Sequence, residues 1–208
     1  MLLRCTASRE GKLNTFLRRE LSMSSSLVSR LKWQNALLVN GAPAHTGHPV
    51  RTGDEVAVRL EETVEGFSPE EMPLSILYED EALIALDKPA GLLTHPSPCR
   101  NDGTLANGLL AYYQKTGQRC GIHPVSRLDR DTFGVVLLAK NAYVHEKFRQ
   151  LHQSGGIRKT YRACVYGVPD ADCGTIDLPV FKLGGGSLLR TVDVRGQQAV
   201  TKFAVLRR

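Results

Sequence analysis

Ser126-Arg127-Leu128-Asp129-Arg130-Asp131-Thr132-Phe133-Gly134 runs directly into Val135-Val136-Leu137-Leu138-Ala139. The second half is a short unbroken apolar run, the pattern of a buried strand. The first half is a charged loop in which one carboxylate, Asp129, stands between the guanidiniums of Arg127 and Arg130. Nearby positive charge favours the ionised carboxylate, and a loop that leads into a buried strand gives that carboxylate a fixed direction. This suits a nucleophile or base acting on a polyanion, with the arginines left to meet phosphate. A solvated charged turn is the plain reading of the same residues, so the neighbouring segments must decide.

Upstream, residues 75–78 and 82–86 read as a strand pair around Glu79-Asp80-Glu81. Lys88-Pro89-Ala90-Gly91 then breaks the strand and opens a loop through Pro96 and Pro98. Residues 104–114 are predicted helical, with Leu105, Leu109 and Tyr112 on one side. Downstream, Asn141 caps a helix that reaches Gln153 and carries Val144, Phe148 and Leu151 on its apolar face. Residues 159–166 read as a strand and 198–206 as another. Strands and helices mixed in this way predict an α+β domain over 74–208, built on a mixed, largely antiparallel β-sheet.

The Asp129 loop closely resembles the signature of the RluA-type pseudouridine synthases, in which Arg-Leu-Asp is followed by x-x-Thr-Ser-Gly. Arg127, Leu128, Asp129, Thr132 and Gly134 match it, while Phe133 replaces the usual Ser and Ser126 the usual His or Asn. Residues 76–96 (ILYEDEALIALDKPAGLLTHP) resemble the strand and Lys-Pro-Ala-Gly turn that open that catalytic domain, and 157–167 (IRKTYRACVYG) its Lys-x-Tyr strand. The family's later Gly-Arg-Thr-His-Gln-Ile-Arg motif, whose arginine pairs with the catalytic aspartate, has no counterpart before Arg208. The expectation is therefore a pseudouridine synthase domain incomplete at its C-terminus.

The resemblance implies isomerisation of specific uridines in structured RNA. The N1–C1′ bond breaks, the uracil turns, and the base rejoins the sugar through C5, with no cofactor and no metal. Asp129 matches the catalytic aspartate, whether it attacks the base, attacks C1′ or removes a sugar proton. Tyr161 matches the aromatic that packs against the target base; an ordinary core tyrosine is the alternative for that residue. Arg127 and Arg130 are candidates to hold phosphates of a nucleotide flipped from its stack. Lys88 either anchors the Lys-Pro-Ala-Gly turn or contacts RNA. Asp131 shapes the loop, His45 and His48 read as surface, and His95 and His123, each beside a proline, are candidates to line the cleft.

The first sixty residues have a different pattern. Leu13, Phe16, Leu17 and Leu21 fall at helical spacing, and Ser24 or Ser25 caps a second helix with Leu27, Val28 and Leu31 on one face. A strand over 36–39, the Asn40-Gly41 turn, the Gly53-Asp54 turn and an alternating strand over 55–60 follow. This unit resembles the S-four RNA-binding module, whose basic helical surface would here include Arg18, Arg19, Arg30 and Lys32. Residues 61–73 hold five glutamates, no base and no apolar period, and read as an acidic linker.

Charge and composition agree with this division. Residues 1–60 carry nine Lys/Arg against four Asp/Glu, and 74–208 carry eighteen against twelve, within a net charge of +6. Two basic blocks flanking an acidic joint fit a shared polyanionic partner, and the resemblance of the N-terminal unit to the S-four module implies ribosomal RNA in preference to transfer RNA. No stretch approaches the ~20 apolar residues that cross a bilayer, and no signal peptide is visible at the N-terminus. Five scattered cysteines without a Cys-x-x-Cys pair argue against a zinc site or disulfide framework and for a reducing cytoplasm. A monomer is expected. Two other readings remain: a non-catalytic RNA-binding protein or inactive fragment with Asp129 idle, and a hydrolase using Asp129 and Asp131 with a divalent cation.

Overall fold

Alternation along Leu2-Leu3-Arg4-Cys5-Thr6 turns Leu3 and Cys5 inward. In the computed structural model of the chain these residues form β1 (Leu2–Thr6). The structure describes all residues except 63, 65, 98, 99 and 185–188, so Pro98 and Cys99 of the predicted loop lie outside the described residues. After β1 come β2 (Gly11–Lys12), α1 (Leu13–Arg19), α2 (Ser25–Trp33), β3 (Leu37–Val39), β4 (Ala42–Pro43), β5 (Pro49–Val50) and β6 (Glu55–Arg59). Four of these strands make an antiparallel sheet in the order β1-β6-β3-β4.

Local chemistry fixes the ends of these elements. The Ser24 hydroxyl accepts from Leu27 N and caps α2. Asn40 and Gly41, both at positive φ, turn β3 into β4, as a tight Asn-Gly hairpin requires. Leu13, Phe16 and Leu17 of α1 and Leu27, Val28 and Leu31 of α2 then pack with Val39, Val56 and Val58 into one buried cluster. The edge strand β1 is not predicted; its short alternation becomes a strand only through its ladder with β6, from Leu2↔Arg59 to Thr6↔Glu55.

A second cluster forms around the apolar run that follows the Asp129 loop. Here β7 (Ile76–Glu79), β8 (Leu83–Lys88), α3 (Leu105–Lys115), β9 (His123–Pro124), β10 (Gly134–Ala139) and α4 (Ala142–Gln153) follow in chain order. The sheet order is β7-β8-β10-β9, antiparallel throughout. Ile84, Leu86, Val136 and Leu138 bury with Leu105, Leu109 and Tyr113 of α3. Tyr113, the third position at a four-residue spacing, is the fully buried tyrosine of this face, while Tyr112 packs against the cluster partly buried and donates its hydroxyl to Glu79. Thr104 and Asn107 close a reciprocal capping box at the start of α3. Asn141 caps α4, where Val144 is buried but Leu151 stays exposed.

The described residues of 61–73 form no helix or strand but are anchored. Glu70 accepts from Gly103 N through both oxygens, and Phe67 packs against the second cluster. The Glu62 carboxylate accepts from Arg30 of α2 (2.7 Å), from His123 of β9, and from Ala142 N at the start of α4 (2.9 Å). Residues 1–158, which hold both clusters, form one compact unit.

Residues 159–208 form a separate unit. Its antiparallel pairs are β11 (Cys173–Asp177) with β14 (Val200–Ala204), and β12 (Val180–Lys182) with β13 (Arg190–Val192). The strand predicted over 198–206 is present as β14. The strand predicted over 159–166 is not: those residues are exposed and make no ladder. Alternating side chains give a strand only when a neighbouring backbone accepts and donates the hydrogen bonds, and none of the described residues does so there.

Burial would raise the Glu62 pKa, but the hydrogen bonds from His123 and Ala142 N and the charges of His123 and Arg30 outweigh it and hold the carboxyl below its usual value. Its stabilisation is therefore complete above the unfolded-state pKa and lost as pH falls through the lower folded value. Glu62→Ala should lower unfolding free energy by about 2 kcal/mol near neutral pH, the partners being partly solvated. Denaturant melts should show the mutant and wild-type stabilities converging as pH drops through that range.

Candidate active site

The antiparallel pairing of β8 with β10 sets Lys88 opposite Gly134, at the point where the Asp129 loop becomes strand. Lys88 continues the inward face of Ile84 and Leu86 and, like them, is fully buried. An ammonium there must find acceptors, because an unpaired buried charge is very costly. Its three donors find three backbone carbonyls: Pro89 O (2.9 Å), Leu92 O (2.8 Å) and Arg130 O (3.0 Å). Desolvation pushes the Lys88 pKa down, and the nearby charges of Asp131 and Asp129 push it partly back. The lysine thus serves as the anchor of the Lys-Pro-Ala-Gly turn. An RNA contact does not fit, since no part of the ammonium faces solvent.

The same carbonyl of Arg130 also accepts from Gly91 N (2.9 Å). On the other side of Asp129, the Thr94 hydroxyl donates to Leu128 O (3.1 Å). Thr132 N closes the turn by donating to Asp129 O (3.1 Å). Gly134 completes the loop at φ +116°, a backbone conformation unfavourable for residues with a Cβ. The main chain on both sides of Asp129 is therefore held, while its side chain is left exposed.

The charge pattern differs from the expected one. Arg130 pairs with Asp131 (3.1 Å), not with Asp129. Arg127 is exposed and pairs with no described residue. Adjacent charges on a loop choose partners by backbone direction, and the turn at 129–132 leaves Asp129 without a guanidinium. Phe133, which stands where the family signature has Ser, is 75% exposed beside this loop, and Val135 is exposed next to it. Val135 opens the apolar run that reads as a buried strand, but β10 buries Val136, Leu138 and Ala139 and leaves Val135 outside.

The other candidate residues are dispersed. His95 lies in the same loop as Thr94, edge-on to Phe67 at 5.5 Å between ring centroids. His123 is engaged with Glu62 and stacks on His145, and burial lowers the His145 pKa, helped by the charge of His123. Tyr161 belongs to the 159–208 unit and is 60% exposed, so its ring is not part of a core. Arg18 and Arg19 are exposed and line a groove of about 570 Å³ with Ser24, Glu146 and Gln150. Lys32 sits over the exposed ring of Trp33 at 5.2 Å. Arg30 is occupied by Glu62. Among the described residues, no cluster of three or more His, Cys, Asp or Glu is placed to hold a metal ion.

Comparison with known proteins places the chain among relatives of one kind. The family described as RNA pseudouridylate synthase matches residues 82–208. An uncharacterized RNA pseudouridine synthase of Bacillus subtilis, YjbO, is 35% identical over 189 residues, covering 89% of this chain and 67% of that protein. A second from Aquifex aeolicus is 32% identical over 205 residues, covering 96% and 65%. The ribosomal large subunit pseudouridine synthase D of Pseudomonas aeruginosa is 35% identical over 175 residues, covering 83% and 54%. The chain thus spans between about half and two thirds of the length of these relatives.

Lys88→Met keeps the apolar stem but leaves three carbonyls without their donor. Unfolding free energy should fall by about 2–3 kcal/mol, and affinity for RNA, measured well below the melting temperature, should stay close to that of wild type. A large loss of affinity in a folded variant would return Lys88 to the RNA-contacting residues.

Proposed function

The chain belongs to the RNA pseudouridylate synthase family, and we propose that it converts uridines of structured RNA to pseudouridine with Asp129 as its reactive carboxylate. The observation that carries this reading is the suspended loop: Lys88 and Thr94 fix the peptides on either side of Asp129 and leave the carboxylate facing outward. A preorganised reactive group on a held backbone is what transition-state positioning needs. The reaction breaks N1–C1′, forms C5–C1′, releases the C5 proton and takes up a proton at N1, so it is balanced without a redox partner or cofactor.

The supporting roles follow from exposure and charge. Arg127, exposed and unpaired among the described residues, is free to meet a phosphate of a flipped nucleotide; Arg130 can do so with its guanidinium held by Asp131. Tyr161 offers an exposed ring on which uracil can stack, worth roughly 1–3 kcal/mol. Residues 1–60 are read as an S-four-like RNA-binding module, 61–73 as its connection, and 74–208 as the catalytic domain. In that module Arg18 and Arg19 remain available for RNA, whereas Arg30 contributes less because Glu62 holds it. Ribosomal RNA is the favoured substrate, in keeping with the name of the Pseudomonas relative. The protein is read as cytoplasmic and monomeric; no described helix is long and apolar enough to cross a membrane.

Tritium release from RNA labelled at uracil C5 tests the reading. Wild type should release tritium, and Asp129→Asn should reduce the rate by roughly three orders of magnitude or more with RNA still bound. Bound RNA without release would instead support the non-catalytic RNA-binding reading, which the unpaired, exposed state of Asp129 also accommodates. Arg18→Ala combined with Arg19→Ala should weaken binding to all RNAs alike. A plot of log affinity against log salt should lose about two units of slope.

A further inference from the structure

Thr94 is 3% exposed and lies between the helix that anchors the second cluster and the loop that carries Asp129. Its backbone belongs to the helix side. Thr94 O accepts from Ala106 N (3.2 Å) and Leu93 O from Leu105 N (2.8 Å), both in the first turn of α3. Leu105 and Ala106 are themselves buried in the cluster, so this attachment point is rigid. Its side chain belongs to the loop side, where the hydroxyl donates to Leu128 O (3.1 Å). One residue therefore connects the packed helix to the peptide immediately before Asp129.

Lys88 holds only the C-terminal side of the loop, through Arg130 O, one peptide beyond Asp129. A loop fixed on one side of a residue can still pivot about the other, and the carboxylate at the pivot sweeps the largest arc. The second attachment removes that freedom. We infer that Thr94 is a positioning residue that sets the direction of the Asp129 carboxylate through the Leu128 carbonyl. This rests on the proposed role of Asp129 as the reacting group. Thr94 itself touches no reacting atom; its effect passes through hydrogen-bonded main chain.

Thr94→Val keeps the shape and removes the hydroxyl, and Thr94→Ser keeps the hydroxyl and removes the methyl. In tritium release measured well below each melting temperature, Thr94→Val should lower kcat by about ten- to a hundredfold and leave the RNA dissociation constant unchanged. Thr94→Ser should restore most of the rate. Amide hydrogen exchange gives a second readout: Thr132 N–H, which closes the turn on Asp129 O, should exchange faster in Thr94→Val and not in Thr94→Ser. Wild-type kcat and wild-type Thr132 exchange in Thr94→Val would overturn the role while leaving the activity intact. Equal losses in the Val and Ser variants would overturn it too, by assigning the effect to packing. A wild type that binds RNA but releases no tritium would overturn the proposed activity itself, and this role with it.

Discussion

The buried cation of Lys88 organises the turn and loop beside the second cluster. Lys88 ends a strand whose inward positions are otherwise filled by Ile84 and Leu86, and its ammonium lies where water does not reach. Such a charge is tolerated only if every donor is satisfied. Carbonyls from the Lys-Pro-Ala-Gly turn and from the Asp129 loop must therefore converge on it. The pairing of Lys88 with Gly134 brings the loop to the right place, and the lysine draws its carbonyl inward. Turn, loop and strand register are three consequences of the same requirement.

Glu62 serves a comparable purpose at the junction between the two clusters. Its sequence context is a run of glutamates, which alone reads as solvated, as Glu61 and Glu71 are. Glu62 differs because donors from α2, β9 and the start of α4 meet at its carboxylate. One acidic side chain thus connects the N-terminal sheet unit to the second sheet. The same contact withdraws Arg30 from the basic surface, leaving Arg18, Arg19 and Lys32 without an ion-pair partner among the described residues.

Much of the fold was legible in the sequence because it is encoded locally. Ser24, Thr104 and Asn141 stand at helix starts with acceptors on their side chains, and each caps the helix that follows it. Asn40-Gly41 marks a hairpin by its backbone freedom alone. The apolar run after Gly134 is a strand by composition. The features that were not legible depend on partners distant in sequence. β1 needs β6, and residues 159–166 find no neighbour among the described residues that would make them a strand. In the loop, the sequence placed Asp129 between guanidiniums, whereas Arg130 turns to Asp131. The inward direction of Lys88 was readable in principle, because residues 84, 86 and 88 share a face at strand period. Thr94 gave no such signal, since a threonine in a loop looks solvated until its acceptor is known.

The loop around Asp129 is held through carbonyl oxygens, and a carbonyl is the same whatever side chain its residue bears. Leu128 and Arg130 could each be replaced without removing the acceptor they contribute. Side chains along this turn are therefore free to diverge, provided that Lys88, Thr94 and the glycine at 134 remain. Phe133 in place of serine is a change of that kind: it alters what the loop presents to its surroundings and not how the loop is held. Selection can reshape the outward surface of such a loop position by position while the Asp129 carboxylate keeps its place.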